Sequence, residues 1–313
     1  MRLSPAPLYH EVADGPEGGV AHWAETSDGV RIRLAHWVHE GAKGTVLLFP
    51  GRTEYIEKYG RAASDLRARG FATMIIDWRG QGIADRLTED RAVGHVGEFG
   101  DYQRDVAAMV DAAQALDLPK PFFLLAHSMG GCIGLRALMG GLPVKAAAFS
   151  GPMWGIQMSA AMRPTAWALS WVGRKAGAGT SFTPGTKALT YVLDADFECN
   201  NLTHDRDMWE YMQVQMRERP DLALGGPGLH WLHEAMNETR ALAKLPAPDY
   251  PCITFLGGDE KIVDTPAIHK RMENWPGGEL HIVKGGEHEV LMELPEMRTP
   301  VYDGICAFFD RHL

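Results

Sequence analysis

The stretch Phe122-Phe123-Leu124-Leu125-Ala126-His127-Ser128-Met129-Gly130-Gly131 decides the fold. Its apolar run, bounded by Pro121 and a glycine pair, reads as a buried parallel strand, and Cys132 to Met139 reads as a helix starting immediately after it. Ser128 then stands on the corner. A tight strand-to-helix turn strains the serine backbone and demands small residues two before and two after, so that strand and helix can approach; Ala126 and Gly130 supply them. Such a turn lifts the hydroxyl out of the sheet and aims the Met129 N–H, at a helix N-terminus, where an oxyanion would form. Ala126 replaces the first glycine of the G-x-S-x-G pattern, a departure of one methyl group. A serine N-cap on an ordinary helix has a similar local sequence, so the rest of the chain decides.

Outward from this corner, strands alternate with helices. Val20 to Thr26 and Val30 to Val38 flank Ser27-Asp28-Gly29 as a β-hairpin, the antiparallel edge of a larger sheet. Thr45 to Phe49 and Ala72 to Ile76 read as strands, Tyr55 to Arg69 and Gly100 to Leu116 as helices. Pro121 to Ala126, Val144 to Ser150, Cys252 to Leu256 and Leu280 to Val283 supply the remaining strands, and a last helix runs from about Met297 to His312. The pattern predicts an α/β fold, a mostly parallel sheet with helices on both faces. Between Gly151 and about Leu245 the alternation stops. That stretch is read as a helical cap inserted into a core formed by residues 1–150 and 246–313.

The chain of 313 residues is 45% hydrophobic, enough for a sizeable core. Its net charge of −9 argues against nucleic acid as a main partner. The cysteines, Cys132, Cys199, Cys252 and Cys306, show no C-x-x-C spacing and read as reduced. Met1 to Gly19 reads as neither signal peptide nor anchor, and no apolar run is long enough to span a bilayer. The expectation is a cytosolic protein, with peripheral membrane contact open and the oligomeric state unspecified.

A serine needs a base, and the base needs a carboxylate to fix its tautomer. His288 lies four residues past Lys284, which follows the last strand, in a loop opened by Gly285-Gly286. Asp259 and Glu260 both follow the preceding strand. Glu260-Lys261-Ile262-Val263 has the acid, one variable residue and two apolar residues, the better match; Asp259 stays as the alternative, and Asp264 reads as an N-cap for the helix near Pro266. The second oxyanion donor falls to the Arg52 N–H in Pro50-Gly51-Arg52-Thr53-Glu54. The Arg52 side chain suits either a phosphate or a salt bridge with Glu54 or Glu57.

The order Ser128, Glu260, His288 is that of the α/β-hydrolases. With Pro50-Gly51-Arg52-Thr53-Glu54-Tyr55, Asp77-Trp78-Arg79-Gly80-Gln81-Gly82, Glu260-Lys261-Ile262-Val263-Asp264 and His288-Glu289-Val290-Leu291-Met292-Glu293, the chain resembles the monoacylglycerol-lipase and lysophospholipase branch of that superfamily. Asn201-Leu202-Thr203-His204-Asp205 and Leu224-Gly225-Gly226-Pro227 resemble segments of bacterial PldB-type lysophospholipases. Pro50 stands where many relatives have histidine. The resemblance implies ester hydrolysis by Ser128, His288 and Glu260 through an acyl-enzyme, with no metal or organic cofactor. His230 and His233, followed by Glu234, match neither H-E-x-x-H nor H-x-x-E-H.

Within the cap, 151–193 carries Arg163, Arg174, Lys175 and Lys187 and no acid, together with Trp154, Trp167 and Trp171. Such a segment suits an anionic lipid surface, although tryptophans equally build a core. Met208, Met212 and Met216 form one helical stripe. Met208, Met212 and Trp154 are the candidate contacts for an acyl chain. The readings that remain are a single-chain lipid esterase acting on a lysophospholipid or a monoacylglycerol, a general carboxylesterase or peptidase, and a non-catalytic binding protein.

Overall fold

A computed structural model describes residues 2–159 and 161–313. Its strands are β1 Leu3–Ala6, β2 Val20–Glu25, β3 Arg31–Trp37, β4 Thr45–Phe49, β5 Ala72–Asp77, β6 Phe122–His127, β7 Ala147–Ser150, β8 Cys252–Gly257 and β9 Glu279–Val283. Its helices are α1 His10–Ala13, α2 Gly60–Ala68, α3 Tyr102–Ala115, α4 Met129–Met139, α5 Met162–Lys175, α6 Tyr191–Asp194, α7 Arg206–Glu218, α8 Leu229–Leu242, α9 Thr265–Glu273 and α10 Pro295–Asp310. One sheet holds the strands in the order β1-β2-β3-β5-β4-β6-β7-β8-β9. It is antiparallel from β1 to β5 and parallel from β5 to β9.

The apolar runs are continuous because successive residues face opposite helical layers. Leu47, Phe49, Leu124 and Ala126 pack with α3 and α4, whereas Val46, Leu48, Phe123 and Leu125 pack with α2 and α10. β1 was not foreseen in the sequence: four residues containing Pro5 give too short a pattern, and only the pairing with β2 makes them a strand. The stretch expected to be helical from Tyr55 begins with a 3-10 turn, Ile56–Tyr59, ahead of α2. Between β7 and β8 the described residues add α5 to α8 and no strand to the sheet. Here α5 packs on α8, and α7 lays Met208, Met212 and Met216 against Tyr55 and Met292.

The sheet order reverses at β4: its chain leads through α2 to β5 on one side, while β6 leads through α4 to β7 on the other. Loops leaving β4 and β6 therefore part and open a crevice at the carboxyl ends of the strands. The loops after β7, β8 and β9 emerge at the same edge.

Candidate active site

Ser128 has φ 49° and ψ −117°, a conformation that costs an L-residue about 1–3 kcal/mol. Its own hydrogen bonds hold it there: its N–H donates to Ser150 O at 3.1 Å, and its carbonyl accepts from Gly131 N–H and Met153 N–H at 2.8 Å. Ser128 occupies the N-cap position of α4, yet its side chain caps no helix amide. Ser128 instead lines a cavity. The demand for small neighbours has named causes. A Cβ at Gly130 would run into the Phe49 carbonyl, and one at Gly134 would stand 3.2 Å from the Ala126 Cβ. Gly134 thus gives the Ala126 methyl its room.

His288 is 3% exposed and its Nδ1–H donates to Glu260 Oε2 at 2.6 Å. That bond assigns the tautomer and leaves Nε2 as the basic nitrogen. The other oxygen, Oε1, accepts from the amides of Ile262 at 2.6 Å and Val263 at 3.1 Å. Burial opposes the charge on Glu260, but the His288 bond and the two amides hold its pKa below the ordinary carboxylate value. The structure brings Glu260 against His288, while Asp259 is exposed. The spacing of one residue and then two apolar residues is what lets a carboxylate turn back onto these amides. Asp264 sits at the N-cap of α9 but caps nothing; its carboxylate accepts from Arg163 at 2.8 Å. Behind the pair, Gly151 has φ 47°, and a Cβ there would press on His288 Nδ1 at 3.2 Å.

The loop after β4 is held by the Asp77-to-Gly82 segment. Trp78 Nε1–H donates to Pro50 O at 2.9 Å; Gln81 Nε2–H donates to Gly51 O at 3.0 Å, and Gln81 Oε1 accepts from Thr53 N–H at 3.1 Å. Gly51 N–H donates to the Glu54 carboxylate. The amides flanking Arg52 are thereby engaged, and the Arg52 amide between them belongs to a residue on the wall of the Ser128 cavity; Met129, directly after Ser128, is the first residue of α4.

Beneath this loop lies a buried ionic cluster. Lys58 Nζ donates to Glu54 and, at 2.6 Å, to Glu289. Tyr59 OH donates to Glu54 Oε2 at 2.6 Å. His127 Nδ1 lies 3.0 Å from the Ser150 carbonyl, which only accepts, so Nδ1 carries a proton. Nε2 then faces Glu289 at 3.4 Å and Glu54 at 3.7 Å, where a lone pair would be repelled. The two carboxylates favour the imidazolium form of His127: burial opposes its charge, and Glu289 and Glu54 overcome that and raise its pKa. Glu289, burial notwithstanding, is held well below the carboxylate range by His127 and Lys58. Glu54, His127 and Glu289 lie close enough to share a small cation, but Lys58 already bridges the two carboxylates. This cluster escaped the sequence reading. Its members come from three separate segments, and only their positions beside Ser128 and His288 hinted at it.

The cavity, about 300 Å³, is lined by Ser128, His288 and Arg52 and walled by Met153, Ile156, Val192, Leu202, Met212 and Met216 among others. Of the three candidate chain contacts, Met212 lies on this wall and two do not. Met208 is turned to Arg61, its Sδ 3.6 Å from Nη1, and Trp154 donates to Gly131 O at 3.1 Å while stacking on Trp275. One helical stripe drifts past the opening, and Met153, the neighbour of Trp154, takes the wall position. His230 and His233 diverge: His230 Nε2 donates to Gly97 O at 2.6 Å, and His233 Nδ1 lies 3.4 Å from Ser170 Oγ.

The Asn201-to-Asp205 segment braces the histidine loop. Asn201 O and Leu202 O accept from the amides of His288 and Glu289 at 3.4 and 2.8 Å. Thr203 Oγ1 donates to Met292 O at 2.7 Å.

The family model described as serine aminopeptidase, S33, matches residues 40–295. Lysophospholipase L2 of Escherichia coli K12 is 30% identical over 298 residues, covering 91% of this chain and 86% of its own. A probable lysophospholipase L2 of Haemophilus influenzae is 28% identical, over 90% of this chain and 89% of its own. Among solved structures, a soluble variant of the Saccharomyces cerevisiae monoglyceride lipase, in complex with a substrate analogue, superposes with a TM-score of 0.71 at 21% identity, covering 92% of this chain and 94% of that one.

Proposed function

Since the chain belongs to the α/β-hydrolase family described as serine aminopeptidase, S33, in its lysophospholipase and monoacylglycerol-lipase branch, we propose that it hydrolyses the carboxylic ester of a single-chain lipid with Ser128, His288 and Glu260 as its triad. It is a serine ester hydrolase by its kinship. The single observation that supports the residue assignment is Ser128 and His288 on one apolar-walled cavity, with His288 bonded to Glu260.

Ser128 Oγ attacks the ester carbonyl as His288 Nε2 takes its proton, and Glu260 stabilises the imidazolium. The amides of Met129 and Arg52 receive the oxyanion. Collapse passes the proton to the leaving alcohol and leaves an acyl-enzyme, which water opens by the same steps in reverse. Residues 151–245 act as a cap over a core of 1–150 and 246–313, with Met212 and Met216 against the acyl chain. Apolar walls favour a lipid ester over a peptide. No helix among the described residues is long and apolar enough to cross a membrane; contact with a bilayer would be made by the cap surface. A fluorophosphonate probe should label the wild type, and Ser128→Ala should lose labelling and turnover by orders of magnitude. Retained hydrolysis in that variant overturns the assignment.

A further inference from the structure

Among the described residues, two cationic ones, Arg52 and Lys58, line the cavity, and their situations differ. Lys58 is held between Glu54 and Glu289. Arg52 joins no ion pair among the described residues. The acids that its sequence position offered are engaged elsewhere: Glu54 by Lys58, Tyr59 and the Gly51 amide, and Glu57 by a two-point contact with Arg33 at 2.7 Å. The guanidinium is nevertheless fixed. Nη1 donates to Gly225 O at 2.9 Å, and Cζ stands 5.7 Å from the Trp231 ring centroid. Gly225 is itself pinned, its N–H donating to Ala92 O at 2.9 Å.

A guanidinium has five N–H donors in a rigid fork that fits phosphate at two points, and burying it without a counter-ion is unfavourable. Burial draws the Arg52 pKa down to about 10, which leaves it charged at neutral pH. A preorganised cation on the wall of an ester-cleaving cavity, answered by a carbonyl and an aromatic face but by no acid, is matched to an anion that arrives with the substrate. A lysophospholipid carries its phosphate only a glycerol away from its ester.

We propose that the Arg52 side chain is the subsite for the substrate phosphate, so that the preferred substrate is a lysophospholipid rather than an uncharged monoacylglycerol. This rests on the ester-hydrolase reading and deepens it. Arg52 then acts twice, its amide on the oxyanion and its side chain on the headgroup.

The test uses short-chain lipids below their micelle concentration. In Ser128→Ala, calorimetric titration should show lysophosphatidate binding more tightly than the monoacylglycerol of the same chain. Adding Arg52→Gln should shrink that preference by about tenfold to a hundredfold, the weight of a charge-assisted bond, and Arg52→Lys should restore part of it. In active enzyme the kcat/KM ratio of the two lipids should fall in parallel. A preference that Arg52→Gln leaves within twofold overturns the subsite, even if both lipids are hydrolysed. Inorganic phosphate binding as tightly as lysophosphatidate, with the same Arg52 dependence, overturns the headgroup assignment in favour of a free-phosphate site. Absence of hydrolysis of every ester by wild type, with binding preferences intact, overturns the ester-hydrolase reading and spares the subsite.

Discussion

The sheet edge and the stretch between β7 and β8 answer differently to a linear reading. At the edge, two site side chains are placed by their own neighbours: Ser128 by the corner between β6 and α4, and Glu260 by the amides two and three residues on. Between β7 and β8 the partners come from further along the chain. Residues 151–193 read as uniformly basic, yet Arg163 pairs with Asp264 at 2.8 Å, Arg174 with Glu234 at 3.4 Å and Lys187 with Asp194 at 2.6 Å. Lys175 alone of these four joins no ion pair among the described residues. The tryptophans divide likewise: Trp154 is core, Trp167 lies against His233, and Trp171 is 53% exposed. Local chemistry is readable wherever local geometry creates it. Charge balance is a property of the folded surface.

The largest effect that separates the two regions should come from the edge. Glu260→Gln removes the charge facing the His288 imidazolium and should lower kcat by roughly 10²–10⁴ with the fold intact by circular dichroism. Asp259→Asn, on the exposed neighbour, should leave kcat near wild type. The opposite ranking would show that even this short loop cannot be read from spacing.

Next comes the ionic cluster, which tests where local reading ends. Lys58→Met leaves Glu54 and Glu289 buried without their bridging cation and should cost about 3–5 kcal/mol in urea unfolding. A cost below about 1 kcal/mol would make the cluster electrostatically idle. Its members could be quoted from the sequence as parts of separate motifs, but their meeting could not: residues 54 and 58, 127 and 289 converge only once the loops after β4, β6 and β9 share one edge. Arg52 shows the same limit. The backbone role proposed for it follows from its place after β4, whereas the absence of a carboxylate partner among the described residues becomes visible only when Glu54 and Glu57 are seen engaged.

The cluster also predicts a pH dependence. His127 has a folded pKa above its ordinary 6.5, so its contribution is fully present below that value and is lost as pH rises through the folded pKa. Glu289 has a depressed folded pKa, so its contribution is present above the ordinary 4.5 and is lost as pH falls through the lower folded value. Together they favour the fold most between about pH 4.5 and 6.5. The stability gap between wild type and His127→Gln, followed by thermal melts, should therefore narrow as pH rises above that window. A gap that stays constant through pH 9 would mean that His127 is uncharged.

The smallest effect concerns the surface that the linear reading overstated. With three basic side chains paired, attraction to an anionic bilayer rests on Lys175, worth on the order of 1 kcal/mol near such a surface and screened by salt. What α5 adds is apolar: Met162, Trp171 and Val172 are 63%, 53% and 52% exposed, and Lys175 follows on the same helix. Side chains of this kind insert at headgroup level, where a tryptophan is favoured. Substituting Trp171→Ser with Val172→Ser should therefore weaken co-sedimentation with anionic vesicles more than Lys175→Glu does. Arg163→Glu should act mainly by placing two carboxylates together at Asp264, which thermal melting reports separately. If Lys175→Glu abolishes binding and the serine pair leaves it unchanged, the contact is electrostatic and the linear reading was sound after all. If wild type binds neither anionic nor neutral vesicles at any ionic strength, α5 faces no membrane.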